Sequence, residues 1–204
     1  MLTVFFMTTN NKDAFRNYLQ LEKKYSPHTV NAYLNDISYF EVFNKEYFEQ
    51  DAYDMALNGD SLGYQGFLKI ADQFSGTSTA NLAKAYAGIC YKNLGKYDEA
   101  LKQLESFDGD DQMVAPAILG ATGNCYAELG QLDKASSILL KAADEADNNT
   151  LSPIFLMQAG EILVKQGKFD DAVTAYTKIK DKYFQSYQAM DIDKYIERAK
   201  LLKK

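Results

Sequence analysis

The 204-residue chain has no tryptophan, a single histidine (His28), two arginines (Arg16 and Arg198), two cysteines (Cys90 and Cys125) and three prolines. Each scarcity excludes something. A metal centre needs three or four clustered ligands, and His28 has no Cys, Asp or Ser arranged around it. Two arginines leave little means of gripping phosphate bidentately, and a net charge of −6 opposes a nucleic-acid or anionic-membrane surface. Cys90 and Cys125 read as small buried helix residues. The alternative, a disulfide between successive units, requires a Cα separation that equivalent positions in stacked units rarely meet. No apolar run approaches the roughly 20 residues that cross a bilayer. The largely apolar start Leu2–Met7 also lacks the basic flank and cleavage site of a signal peptide; residues 1–12 are expected to be a loose leader, with Met7 offering a second start. Asp108-Gly-Asp-Asp111 lacks the alternating ligands and closing Glu of a calcium loop, so it reads as an acidic connector that caps the next helix. Gly120-Ala-Thr-Gly123 falls inside a helical pattern and is not a phosphate loop, and no nucleophile elbow is present. No metal, cofactor or catalytic residue is expected.

What is present is a repeat. Leu94-Gly95-Lys96-Tyr97-Asp98-Glu99-Ala100 returns as Leu129-Gly130-Gln131-Leu132-Asp133-Lys134-Ala135 and as Gln166-Gly167-Lys168-Phe169-Asp170-Asp171-Ala172, with the glycines 35 and 37 residues apart. Seven residues before each lies Gly88, Gly123 or Gly160; four before, Tyr91, Tyr126 or Leu163; five after, an Ala; nine after, Leu104, Leu139 or Tyr176. Residues on either side of the turn follow helical spacing. The turn Gly can end the first helix in the left-handed conformation, and the following Asp suits the free N–H groups that open the second. Each unit is therefore a helical hairpin that cannot bury its apolar face alone.

The pattern resembles the tetratricopeptide repeat, a helix–turn–helix unit with matching Gly, Tyr, Ala and Leu positions. The early Trp of that family is absent, and Phe184 stands near the place of its closing Pro. The resemblance implies an all-α fold: a right-handed superhelix of hairpins with an N-terminal helical appendage and a C-terminal capping helix. On this register, residues 46–204 form the repeat domain. It begins with a degenerate hairpin at 46–76, whose second helix is expected over 62–74 with Phe67, Leu68 and Ala71 inward. Hairpins at about 80–107, 114–146 and 152–182 follow, then a capping helix at 189–203 that carries Met190, Tyr195, Ile196, Ala199 and Leu202. Pro116 and Pro153 fall at helix starts, where a missing N–H costs little.

Residues 13–45 do not share the repeat. Phe15, Tyr18, Leu19 and Tyr25 mark one amphipathic helix; Ser26-Pro27 opens a second, with Val30, Tyr33, Leu34, Ile37 and Phe40 at spacings of three and four. The stretch Tyr18 to Phe40, with its Tyr-Ser-Pro-x-Thr turn, resembles the opening helix pair of the core-binding domain of Xer-type tyrosine recombinases. The arginines, His-x-x-Arg and nucleophilic Tyr of that family's catalytic domain have no counterpart, which excludes strand exchange. Residues 12–45 carry five basic and four acidic side chains, so DNA binding by this segment is not expected. The stretches Ala56–Asp60, Leu82–Gly88, Glu105–Asp111 and Asp191–Ile196 resemble a Bacteroidetes group of tetratricopeptide proteins. That resemblance implies a periplasmic, inner-membrane-anchored setting for the repeats, with a chimeric N-terminus where the anchor would stand. The chain as given is expected to be soluble.

The expected function is non-catalytic: a scaffold or adaptor binding a protein or peptide partner. The first helices of the stacked hairpins would line a concave groove. In the repeat register its side comprises Tyr86, Ile89, Asn93, Asn124, Glu128, Met157, Glu161 and Lys165, mixing asparagines that can bond a peptide backbone with apolar and charged neighbours. The alternative is a DNA-associated recombinase fragment without its catalytic domain.

Overall fold

The computed structural model describes residues 49–59, 63–111 and 113–203. The expected leader, the helix pair at 13–45 and His28 lie outside them. The chain divides into two compact units, Met1–Ala52 and Tyr53–Lys204, and every described residue from Tyr53 onward belongs to the second. Among the described residues there is no strand. The helices are α1 (Glu49–Asn58), α2 (Gly66–Gln73), α3 (Ser78–Asn93), α4 (Tyr97–Leu104), α5 (Val114–Glu128), α6 (Leu132–Ala146), α7 (Ser152–Lys165), α8 (Phe169–Lys182) and α9 (Ile192–Leu202), with a 3-10 turn at Tyr187–Met190 before the last. None is long and apolar enough to cross a membrane.

Three hairpins, α3–α4, α5–α6 and α7–α8, are closed in the same way. Gly95, Gly130 and Gly167 have φ of 72°, 73° and 74°, a region that costs an L side chain about 1–2 kcal/mol. The N–H after each Gly reaches back to the carbonyl of the recurrent large residue: Lys96 to Tyr91 at 2.9 Å, Gln131 to Tyr126 at 2.9 Å, Lys168 to Leu163 at 2.9 Å. Each Gly N–H bonds the next carbonyl along, on Lys92, Ala127 and Val164. This is the Schellman closure, which satisfies the last carbonyls of the first helix. The second helices open without side-chain caps, but Asp98, Asp133 and Asp170 sit in their first turns, where a carboxylate offsets the helix dipole.

The remaining offsets of the repeat are steric partners. A Cβ on Gly88 would lie 2.6 Å from Leu104, one on Gly123 2.8 Å from Leu139, and one on Gly160 2.3 Å from the Tyr176 ring. Seven before the turn and nine after it are thus the two sides of one contact between the helices of a hairpin. Consecutive hairpins interlock too: the Phe155 ring of α7 occupies the space a Cβ on Gly120 of α5 would need, at 2.2 Å. α6 packs on both α5 and α7, and α8 on both α7 and α9. The main core runs from Ala135 and Leu139 through Leu156, Ala159 and Ile179 to Ile192, Ile196 and Ala199.

Polar groups pin neighbouring elements. Ser152, fully buried, donates to the Ala143 carbonyl at 2.7 Å. Tyr183 donates to Asp147 at 2.9 Å, and the Asn81 amide bonds the Asp108 backbone in both directions. Asp133 accepts from Lys168 at 2.6 Å and from Gln166 at 2.8 Å. The Lys168–Asp133 ion pair is exposed and contributes little.

Two elements depart from expectation. The helix expected at 62–74 begins at Gly66, because Gly59 (φ 86°) and Gly66 (φ 72°) turn the chain sharply and bring their backbones together, a Cβ on Gly66 falling 2.4 Å from the Leu57 carbonyl. Phe67, Leu68 and Ala71 still face inward, toward Leu57, Ala87 and Cys90 or in the core. The helix expected at 189–203 begins at Ile192, after the 3-10 turn, so its phase is reset. Met190 and Leu202 are left exposed, and Ile192 joins Ile196 and Ala199 in the core. Cys90 and Cys125 are buried free thiols; burial raises both, Cys125 to about 11, which makes them poor nucleophiles.

Asp111 ends the acidic connector and caps α5. Its carboxylate accepts from the N–H groups of Met113 at 2.9 Å, Val114 at 2.5 Å and Ala115 at 3.3 Å. These bonds, that from Val114 first, hold its pKa below the ordinary 3.8. A depressed carboxylate stabilises the fold above its unfolded pKa, and that contribution is lost as pH falls through the lower, folded value. Asp111→Asn keeps the accepting oxygen and removes the titration. Its acid unfolding curve, followed by circular dichroism below pH 4, is therefore expected to be shallower than that of the parent; identical curves would show that the cap is not formed.

Candidate functional site: the uncovered face of the first helices

α3 buries Ala80, Ala83, Ala85, Ala87, Gly88 and Cys90. α5 and α7 are similarly rich in small buried residues, Ala115, Gly120, Thr122 and Gly123 on one, Ser152, Ala159 and Gly160 on the other. Small side chains let neighbouring helices approach closely, and Ile118, Phe155, Leu156, Ile162 and Leu163 fill the seams between them. The residues expected from the register recur at fixed offsets. Ile89, Asn124 and Glu161 stand six before their turn glycines; Asn93, Glu128 and Lys165 stand two before. Ile89, Asn124 and Met157 are half-buried, while Tyr86, Asn93, Glu128, Glu161 and Lys165 are exposed. Tyr86 is not loose: its ring stacks on Phe67 of α2 at 5.2 Å between centroids.

Among the described residues, the α7 set lines two concavities. A pocket of about 550 Å³ is walled by Ile154, Met157, Gln158 and Glu161 of α7 with Tyr187, Met190, Asp191 and Tyr195 from the 3-10 turn and α9. A smaller one of about 210 Å³ adjoins it, sharing Glu161 and Tyr195 and adding Lys165 and Arg198. Tyr176 lies beneath; burial, then the nearby Glu161 carboxylate, pushes its phenol up to about 12. A third pocket of about 400 Å³, between α4, α5 and α6, contains none of the expected groove residues.

Sequence reasoning missed Gln158, Tyr187, Met190 and Tyr195 as part of this surface. Gln158 could have been found, since it stands nine before its turn Gly, where Tyr86 stands in the first hairpin. Tyr187 and Met190 belong to a connector without periodicity, and only the 3-10 turn places them. No group of ligands that could hold a metal occurs among the described residues.

Two family models match the chain. The N-terminal SAM-like domain of phage integrases covers residues 13–84, further than the helix pair whose sequence carries the resemblance. The tetratricopeptide repeat model covers residues 86–108 and 155–184. The hairpin between those two stretches, α5–α6, has the same Schellman closure and glycine contact as its neighbours. No curated protein matches the chain.

Proposed function

We propose that the repeat segment is a protein-interaction module that holds an extended peptide or partner helix along the first-helix face, as a scaffold or adaptor without catalysis. Tetratricopeptide repeats point to protein partners; the groove, its residues and the concave, right-handed superhelical form are part of the proposal. The observation that carries it is the recurrence, on three successive first helices, of exposed or half-buried side chains at the same two register positions. Asn93 and Asn124 offer amides to a peptide backbone, and Tyr86, Ile89 and Met157 offer apolar contact, the combination that fixes register and contributes affinity in peptide grooves. An envelope-associated setting and a chimeric origin of the N-terminus belong to the same reading, on the resemblance to Bacteroidetes repeat proteins and on the abutting family matches.

The test is quantitative affinity capture from the native cell with the full chain as bait, beside a Tyr86→Ala/Asn93→Ala/Asn124→Ala triple variant of unchanged circular dichroism. A partner retained by the parent and lost by the variant is expected. Equal retention by both would overturn the groove. The second reading, DNA association through residues 13–84, has the integrase match in its favour. A salt-dependent gel shift on duplex DNA would support it; the acidic chain is expected to give none.

A further inference from the structure

The larger pocket between α7 and the C-terminal elements has the features of a side-chain receptacle rather than of a small-molecule site. Drug-sized ligands are usually enclosed over most of their surface, but two of the apolar rim residues here, Tyr187 and Met190, are 83% and 78% exposed. Ile154 and Met157 form the opposite wall. Ile154 is 37% exposed and Met157 is half-buried against the core, so the exposed apolar surface lies mainly on the Tyr187–Met190 side, and such surface beside a cleft marks an interaction site. The charged groups of the lining, Glu161 and Asp191, are both acidic. Asp191 is paired with Lys194 at 2.5 Å, whereas Glu161 has no ion-pair partner among the described residues. Lys165 and Arg198 line the adjoining smaller pocket together with Glu161.

We propose that this cup receives a large apolar side chain of an extended partner peptide whose next residue is lysine or arginine. The apolar side chain lies between Met157 and Met190, and the cation meets Glu161. The inference rests on the groove reading above and names the partner chemistry at one end of it.

The experiment uses the full chain, fluorescently labelled, on resin-bound octapeptide pools with a fixed central Leu-Lys, Leu-Glu or Ser-Lys pair and random flanks. The Leu-Lys pool is expected to retain about fivefold or more protein than either of the others, a preference of about 1 kcal/mol. Met190→Ser should reduce that retention about tenfold with circular dichroism unchanged. Glu161→Gln should erase the preference for Lys over Glu and keep that for Leu over Ser. Equal retention of the three pools, or a Lys preference that survives Glu161→Gln, overturns the proposal. Retention lost in Asn93→Ala/Asn124→Ala but untouched by Met190→Ser would leave the groove standing and sink the cup; retention insensitive to both sets would sink both. Concentration-dependent dimerisation abolished by Met190→Ser, without peptide, would assign the cup to a second copy of the chain instead.

Discussion

Leu139→Ala is expected to destabilise the repeat unit by about 3–4 kcal/mol, within the range for truncating a fully buried leucine. Leu139 is 0% exposed and sits in the main core. It lies over Gly123, where a Cβ would approach it to 2.8 Å, so its loss opens a gap that the glycine opposite has no side chain to fill. Backbone helices on both sides limit collapse, which places the cost above a simple transfer term. The consequence should extend beyond one hairpin. α6 packs on α5 and on α7, and a stack of nearest-neighbour units transmits a weakened link to the units on either side. Urea unfolding would report the loss, and hydrogen exchange should show α5 and α6 deprotected first. A loss below about 1 kcal/mol, or exchange that rises only at the chain ends, would mean the hairpins do not lean on one another.

Gly160→Val should cost roughly 2–3 kcal/mol despite replacing the residue type that helices tolerate least after proline. Helix propensity alone favours the substitution by a few tenths of a kcal/mol. Against it, a Cβ at this position would stand 2.3 Å from the Tyr176 ring. The ring cannot swing clear easily: Tyr176 is 2% exposed and packs against Tyr195 at 5.7 Å between centroids. Overpacking of that kind forces off-rotamer side chains or backbone shifts. The other two hairpins place leucine where this one has Tyr176, so Tyr176→Leu should relieve part of the strain. The double variant is expected to lose less than the sum of the two single losses, by about 0.5 kcal/mol or more, the coupling typical of residues in contact. Strict additivity would show that the valine is accommodated elsewhere.

These two substitutions mark what could be read from the chain as written. Three turn glycines, the small residue seven before and the large one nine after were visible as a recurrence, and helical spacing assigned each to a face. The reason is that these features are local: a left-handed turn demands Gly, and two antiparallel helices joined by that turn bring fixed offsets together. The face proposed for a partner rests on the same arithmetic, because side chains not spent on hairpin or neighbour contacts have one direction remaining.

Other features were settled only in three dimensions. Gly66 begins its helix later than periodicity indicated, because a backbone-to-backbone approach to Gly59 outweighs the apolar pattern. The 3-10 turn after α8 resets the phase of the last helix, so Ile192 is buried and Met190 is turned out. The cup beside α7 needs residues from Met157 to Tyr195 assembled from a helix, a connector and another helix, and no spacing rule links them. Sequence by itself determined the hairpins and their closure, since neighbours along the chain enforce both. Tertiary packing alone decided where the irregular segments rest and which residues meet in the cleft beside α7, since those depend on contacts between residues that no period relates.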